Sequence, residues 1–404
     1  MRVLESSLRR GQRVPRVVIE TKRPVQANDT IEPQIFEKSR PVVEPAKTGA
    51  DMQLCAGDWV EVRSKAEILS TLDENGRLEG LPFMPQMFQY CGKRFQVNKR
   101  AHKTCDTVSG AYVGLRLRGG IHLEHRCDGQ AYGGCQAGCL IFWKDAWLKP
   151  VDADRCGRAP APSSDWSSGE DTDRAGCTEK NVWRAAKDGS SRWQPRYSCQ
   201  ATELLHFTEP LKWWDARQYV ETYRSGNASL RAIASGFSYL FYYYGLAKWS
   251  GIGRLARWLY DRFQTLRGGI PFPRRNGTVP PGEPTPRHDL DLRPGDLVRV
   301  KPYEEILATL DTSGDNRGLR FDAECVPYCG KIYRVRTRVE RFVNEKTGKM
   351  QHLKTPAVIL EGVYCRSRYS GQRIFCPRSI YSWWREIWLE RVHDDEPTDP
   401  LLHG

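Results

Sequence analysis

The sequence carries none of the short motifs that name a reaction. It has no Gly-x4-Gly-Lys-Ser/Thr, no His-Glu-x-x-His and no Gly-x-Ser-x-Gly. The phosphate-cradling loop, the zinc-peptidase helix and the hydrolase nucleophile elbow are therefore not indicated. No Cys-x-x-Cys occurs, which argues against a redox pair at a helix start. Long apolar runs are missing too. The longest uncharged stretch, Ala232–Ala247, has sixteen residues and includes four Tyr and two Ser. A spanning helix needs roughly 20 apolar residues. Met1–Ala50 is polar and lacks the apolar run of an export signal. Cysteines in such a chain are expected as thiols, metal ligands or core residues rather than disulfides.

What the chain does have is an internal duplication. Shifted by 238 residues, Gly295–Arg338 aligns without a gap on Gly57–Arg100, and 20 of 44 positions are identical. A position kept in both copies is one the fold needs. Among them are Thr71/Thr309, Asp73/Asp311, Phe83/Phe321 and Tyr90/Tyr328. Each copy opens on Gly-Asp-x-Val-x-Val, an alternating strand led by a turn. In the first copy Ser64 and Glu67 form a capping box before a short helix, and Asp73–Gly76 reads as a turn. Leu81–Tyr90 reads as a short helical or irregular stretch, and Leu140–Val151 as a closing aromatic strand.

These signals predict a mainly β fold with an α-helical insert: two tandem small SH3-like, KOW-like barrels joined by a helical segment. The expected order is a disordered arm (1–50), a first barrel (51–153), and an acidic Pro/Ser-rich linker (154–200). A helical aromatic and basic segment (201–267), a Pro-rich linker (268–289), a second barrel (290–393) and an acidic tail (394–404) follow. The Gly-Asp-x-Val-x-Val opening is similar to KOW-type barrels of transcription and translation proteins, over six residues.

The net charge of +13, from 62 basic and 49 acidic residues, favours an anionic partner. The first copy is nearly neutral, with 13 basic and 11 acidic residues over 57–152. Nucleic acid is therefore not the favoured partner. The segment 212–267 carries nine basic and three acidic residues. Its stripe of Ile252, Leu255, Leu259, Phe263 and Leu266 marks an amphipathic helix. That pattern suits an anionic membrane surface. The competing expectation, taken here by a small margin, is a brace whose apolar face packs on the barrels.

Thirteen cysteines supply the candidate chemistry. Cys127-x7-Cys135-x3-Cys139 gives three thiols within thirteen residues, and His102-x2-Cys105 adds two ligands. His102, Cys105, Cys127, Cys135 and Cys139 are the candidate ligands of one structural zinc, although the spacing is not that of a two-knuckle ribbon. The wide spacing of Cys156, Cys177 and Cys199 argues against their joining one compact site. Glu67/Glu305 and Asp73/Asp311 recur but are explained by capping and turns rather than catalysis. Lys93/Lys331 and Arg100/Arg338 could form an anion-contacting edge or a solvated strand face.

Several stretches resemble an uncharacterised group of bacterial hypothetical proteins. They are Tyr90–Phe95, Arg100–Asp106, Arg126–Gly129, Gly133–Lys144 and Phe375–Arg385. The resemblance spans both copies and the segment between them. It implies a bacterial, intracellular setting and no particular activity. Tyr132 stands where a His is expected in that group, which weighs against a metal role there.

The expected function is a non-enzymatic binding or scaffolding protein, cytoplasmic and peripheral to a membrane at most. The alternatives are a thiol- or metal-dependent enzyme using the Cys/His cluster of the first copy, and a KOW-like nucleic-acid binder.

Overall fold

The same aromatic box is built twice. Trp147 donates its indole N–H to Thr71 Oγ1 at 3.1 Å, and Trp388 donates to Thr309 Oγ1 at 3.0 Å. Phe83 meets Trp147 edge-on at 5.2 Å, as Phe321 meets Trp388 at 5.2 Å. The recurring Tyr90 and Tyr328 pack edge-on against Trp143 and Trp384 at 6.0 and 6.5 Å. The four tryptophans are fully buried. Large rings bury much apolar area, and the Trp N–H needs a partner once it is buried. Thr71 and Thr309 supply that partner to Trp147 and Trp388, which is why they recur, while the buried indole N–H groups of Trp143 and Trp384 find none among the described residues.

These observations come from a computed structural model that describes residues 54–151 (Tyr112 apart), 176–188, 195–249 and 251–392. The expected arm, most of the acidic linker and the acidic tail lie outside the described residues.

In the first copy the strand Trp59–Val62 lies between Leu148–Pro150 and Arg94–Gln96. Helix α1 (Lys65–Thr71) follows, with both halves of the Ser64/Glu67 capping box formed. Lys149 also reaches Glu67 at 2.8 Å, and with Ser64 it holds that carboxyl down to about 2. Asp73 Oδ1 accepts from Asn75 N and Arg77 N, making the turn. Asp311 does the same for Ser313 N and Asp315 N.

Between the copies come helices α2 (Glu179–Ala185), α3 (Arg217–Arg224), α4 (Leu230–Tyr242) and α5 (Ile252–Arg267). In the second copy the strand Leu297–Val300 lies between Leu389–Arg391 and Ile332–Val343, and helix α6 (Tyr303–Leu307) repeats α1. The pairing of Val298 with Tyr333 and of Val60 with Phe95 is equivalent under the 238-residue shift.

The expectation of SH3-like, KOW-like barrels is overturned. The first copy is divided among small separate antiparallel sheets of two or three strands. The second has an open five-stranded sheet whose edges are Tyr381–Trp384 and Leu389–Arg391. No sheet closes on itself among the described residues. Alternation predicts strands well, but closure needs strands long enough to tilt and stagger around a full turn. Most strands of the first copy have two or three residues. In the second copy the chain instead extends as the long hairpin Ile332–Val343 and Met350–Tyr364.

That hairpin locks the copies together. Gln136 Oε1 accepts from Glu340 N and Arg341 N, and Gln136 N donates to Arg341 O at 3.1 Å. Arg126 donates to Ser379 O at 2.9 Å and stacks over Tyr381 at 3.6 Å.

Candidate functional site

Two places combine unusual chemistry with a defined geometry. The first is a cavity of about 490 Å³ where the copies meet. Six thiols line it: Cys127, Cys135, Cys139, Cys199, Cys325 and Cys365. The first three are brought together by a tight loop. Cys127 N donates to Cys139 O at 2.8 Å. Gly129 turns left-handed at φ 71°, and a Cβ there would lie 1.9 Å from Cys135 O. Only glycine lets the chain return so closely. Gln86 Nε2 donates to the Cys127 sulfur at 3.2 Å, and Val343 N to the Cys135 sulfur at 3.3 Å.

Sequence spacing missed Cys199. It reaches this wall because the next residue, Gln200, is tied into the first core. Gln200 Oε1 accepts from Phe142 N, and its Nε2 donates to Pro82 O and Phe142 O. No spacing rule would have found it.

The remaining candidate zinc ligands go elsewhere. His102 Nε2 lies 3.2 Å from Gln218 O and 3.1 Å from Thr222 Oγ1, facing α3. Burial first, then Lys103, pushes its pKa down to about 3. Cys105 ends the strand Lys103–Cys105, where its carbonyl accepts from Arg378 of the second copy at 3.3 Å. Among the described residues no three Cys, His, Asp or Glu side chains are placed to hold one metal ion. The described cysteines other than Cys55 form no disulfide. Burial pushes the thiols of Cys127 and Cys139 up, and that of Cys199 to about 11. At neutral pH they are protonated and weak nucleophiles.

The second place is the helical hairpin of α4 and α5, joined through a π-helical turn at Tyr243–Ala247. Its inner side is well anchored. Gly253 and Ala256 of α5 are buried, and Tyr242 donates its hydroxyl to Ala256 O. Tyr260 packs on the buried Phe272 at 5.6 Å, and Tyr239 on Tyr369 at 4.8 Å. Asp261 accepts from Arg275 at 2.5 Å and from Phe272 N at 2.7 Å.

The outer side is apolar and uncovered. Ile252, Leu255, Leu259, Phe263 and Leu266 form one face of α5 and are each 51–76% exposed. Trp249 and Trp258 are exposed beside them, and Phe241 is 79% exposed. The expected brace is therefore reversed. Small residues, which let backbones approach, face the protein, and the predicted apolar stripe faces out. Over 230–267 the basic residues are Arg231, Lys248, Arg254, Arg257, Arg262 and Arg267, and the sole acid is Asp261. Asp261 is turned inward and neutralised, while all the basic residues except Arg257 are well exposed.

The recurring arginines do not make a free anion edge. Arg100 pairs with Glu221 at 3.3 Å, and Arg338 pairs with Glu340 and Glu386.

The chain matches no protein-family model, and no curated protein matches it.

Proposed function

We propose that this is a non-enzymatic binding protein that seats peripherally on an anionic lipid surface through the outer side of the α4–α5 hairpin. The two interlocked copies act as the rigid body that holds the hairpin in place. One observation carries the reading: an amphipathic helix anchored by its small-residue side and exposing its entire apolar stripe. Exposed apolar patches of this kind mark interaction sites.

Charge and residue type point to lipid. Each basic side chain near an anionic surface contributes about 1 kcal/mol. Trp and Tyr favour the interfacial zone, where a ring is buried and its polar edge stays wet. Arg254, Arg262 and Arg267 are exposed around a stripe that also has Trp258 beside it. The helix lies in the surface rather than across it. Among the described residues no helix is long and apolar enough to cross a membrane, and α5 has sixteen residues. A nucleic-acid partner gains nothing from an aliphatic stripe. The protonated thiols of Cys139 and Cys199 argue against a thiol enzyme.

Vesicle sedimentation tests the reading. The protein should pellet with phosphatidylcholine vesicles containing phosphatidylglycerol and much less with phosphatidylcholine alone. Arg254→Glu with Arg262→Glu should release it. Retention in the supernatant with both lipids, or a salt-stable dimer by light scattering that masks the stripe, would overturn it.

A further inference from the structure

We propose that the cavity between the copies is a binding site for a long-chain carboxylate, with the alkyl chain inside and the carboxylate at Lys346 on the rim. This site is separate from the lipid-facing hairpin and does not depend on it. The cavity holds about 490 Å³. Small-molecule sites span roughly 300–1,000 Å³. Protein interiors otherwise hold few voids larger than a water molecule. A preserved opening of this size marks a place for a ligand.

Its walls are apolar and come from both copies. The first copy supplies Leu140 and Phe142, both buried. The second supplies Phe342 and Trp383, whose rings meet edge-on at 5.0 Å. The thiols add to this character. Burial pushes Cys127, Cys139, Cys325 and Cys365 up, so they keep their protons at neutral pH. A protonated, buried thiol behaves as a small hydrophobe. The walls are also fixed to each other. The Cys135 sulfur accepts from Val343 N at 3.3 Å, and Arg126, next to Cys127, stacks over Tyr381 at 3.6 Å. The site is thus formed before a ligand arrives.

The polar groups of the lining are largely engaged within the protein. Gln200 makes three bonds to the backbone of Pro82 and Phe142. Glu324 accepts from Tyr369 N and from the Ser370 hydroxyl. The buried Arg378 donates to Glu345 at 3.2 Å and to Thr107 Oγ1 at 2.7 Å, which cancels the Glu345 charge. Lys346 differs. It follows Glu345 in the turn after the strand Ile332–Val343, lines the cavity and is exposed. Among the described residues its ammonium has no acidic partner. An apolar interior with a free cation at its rim matches a molecule with an apolar body and one anionic end. A single ammonium suits a monoanion, which favours a carboxylate over a phosphate.

The test uses the full chain without vesicles, and cis-parinaric acid as a fluorescent fatty-acid probe. Excitation of tryptophan should sensitise parinarate emission, since Trp383 lines the site, and the signal should saturate. Palmitate should displace the probe about tenfold better than hexadecanol, which has the same chain and no charge. Lys346→Glu, on an exposed turn, should weaken palmitate about tenfold and leave hexadecanol unchanged. Ala137→Trp fills part of the cavity and should abolish saturable binding. Wild-type protein with no saturable signal, or Lys346→Glu with undiminished palmitate binding, overturns the proposal even if Ala137→Trp fails to fold. So does a signal that disappears in Leu259→Ser with Phe263→Ser, which would put the acid on the hairpin stripe. None of these results bears on sedimentation with anionic vesicles, so the two readings fail separately.

Discussion

Thr71 and Thr309 show how a single residue can be fixed by one buried donor. Each hydroxyl satisfies an indole N–H inside an aromatic box. Thr71→Val keeps the shape and strands the Trp147 N–H, which should cost about 1–3 kcal/mol. Thr71→Ser should recover most of that loss in urea unfolding. Equal losses in the two variants would mean that the methyl group, and not the hydrogen bond, matters. The identity of Thr71 with Thr309 was legible from the duplication, but its reason was not, since Trp147 is 76 positions away. The same limit hid the meeting of Cys199 with Cys127 and Cys135 around one cavity. Spacing finds ligands that are neighbours in sequence, and these are neighbours only through the fold.

Helix α5 shows what periodicity can and cannot give. Its apolar stripe was plain in the sequence, and the helix forms where expected. Periodicity establishes that a face exists without stating what covers it. The direction was set by Gly253 and Ala256, whose small side chains let α5 settle onto the turn Tyr243–Ala247. A Cβ on Gly253 would meet Ala247 O at 2.6 Å. Gly253→Ala should therefore loosen the hairpin by about 1–3 kcal/mol, the usual cost of overpacking. Hydrogen exchange should quicken across 242–256 and stay unchanged in the strand Leu297–Val300. Leu259→Ser with Phe263→Ser removes exposed side chains only. That pair should leave the melting temperature within about 2 °C, as exposed substitutions usually do, and weaken binding to anionic vesicles at least tenfold. Loss of folding in this pair would mean that the stripe is covered after all. The barrels failed at this same scale. Alternating strands were read correctly in several places, but closure depends on strand length and stagger, which the period of two does not encode.

For the whole molecule, three histidines tie stability to pH. Burial lowers His102 and His122 to about 3 and His125 to about 4. Each has a buried ring nitrogen with no partner. In the unfolded chain they titrate near 6.5. Their contribution is therefore fully present above that value and is lost as pH falls toward the folded values. Below pH 6.5 each of His102 and His122 should remove up to about 1.4 kcal/mol per pH unit. Urea midpoints should hold from pH 8 to 7 and drop steadily between pH 6 and 4.5. A flat profile over that range would contradict the buried neutral rings.

The central claim is that the outer side of the hairpin meets lipid. Photo-crosslinking answers it most directly. Anionic vesicles doped with a diazirine-bearing phospholipid are irradiated with the intact protein, and labelled peptides are mapped. The account predicts adducts concentrated at Phe241, Trp249, Ile252, Trp258, Leu259 and Phe263, all exposed on the hairpin. Adducts spread evenly over the two copies, or none above a phosphatidylcholine control, would contradict it.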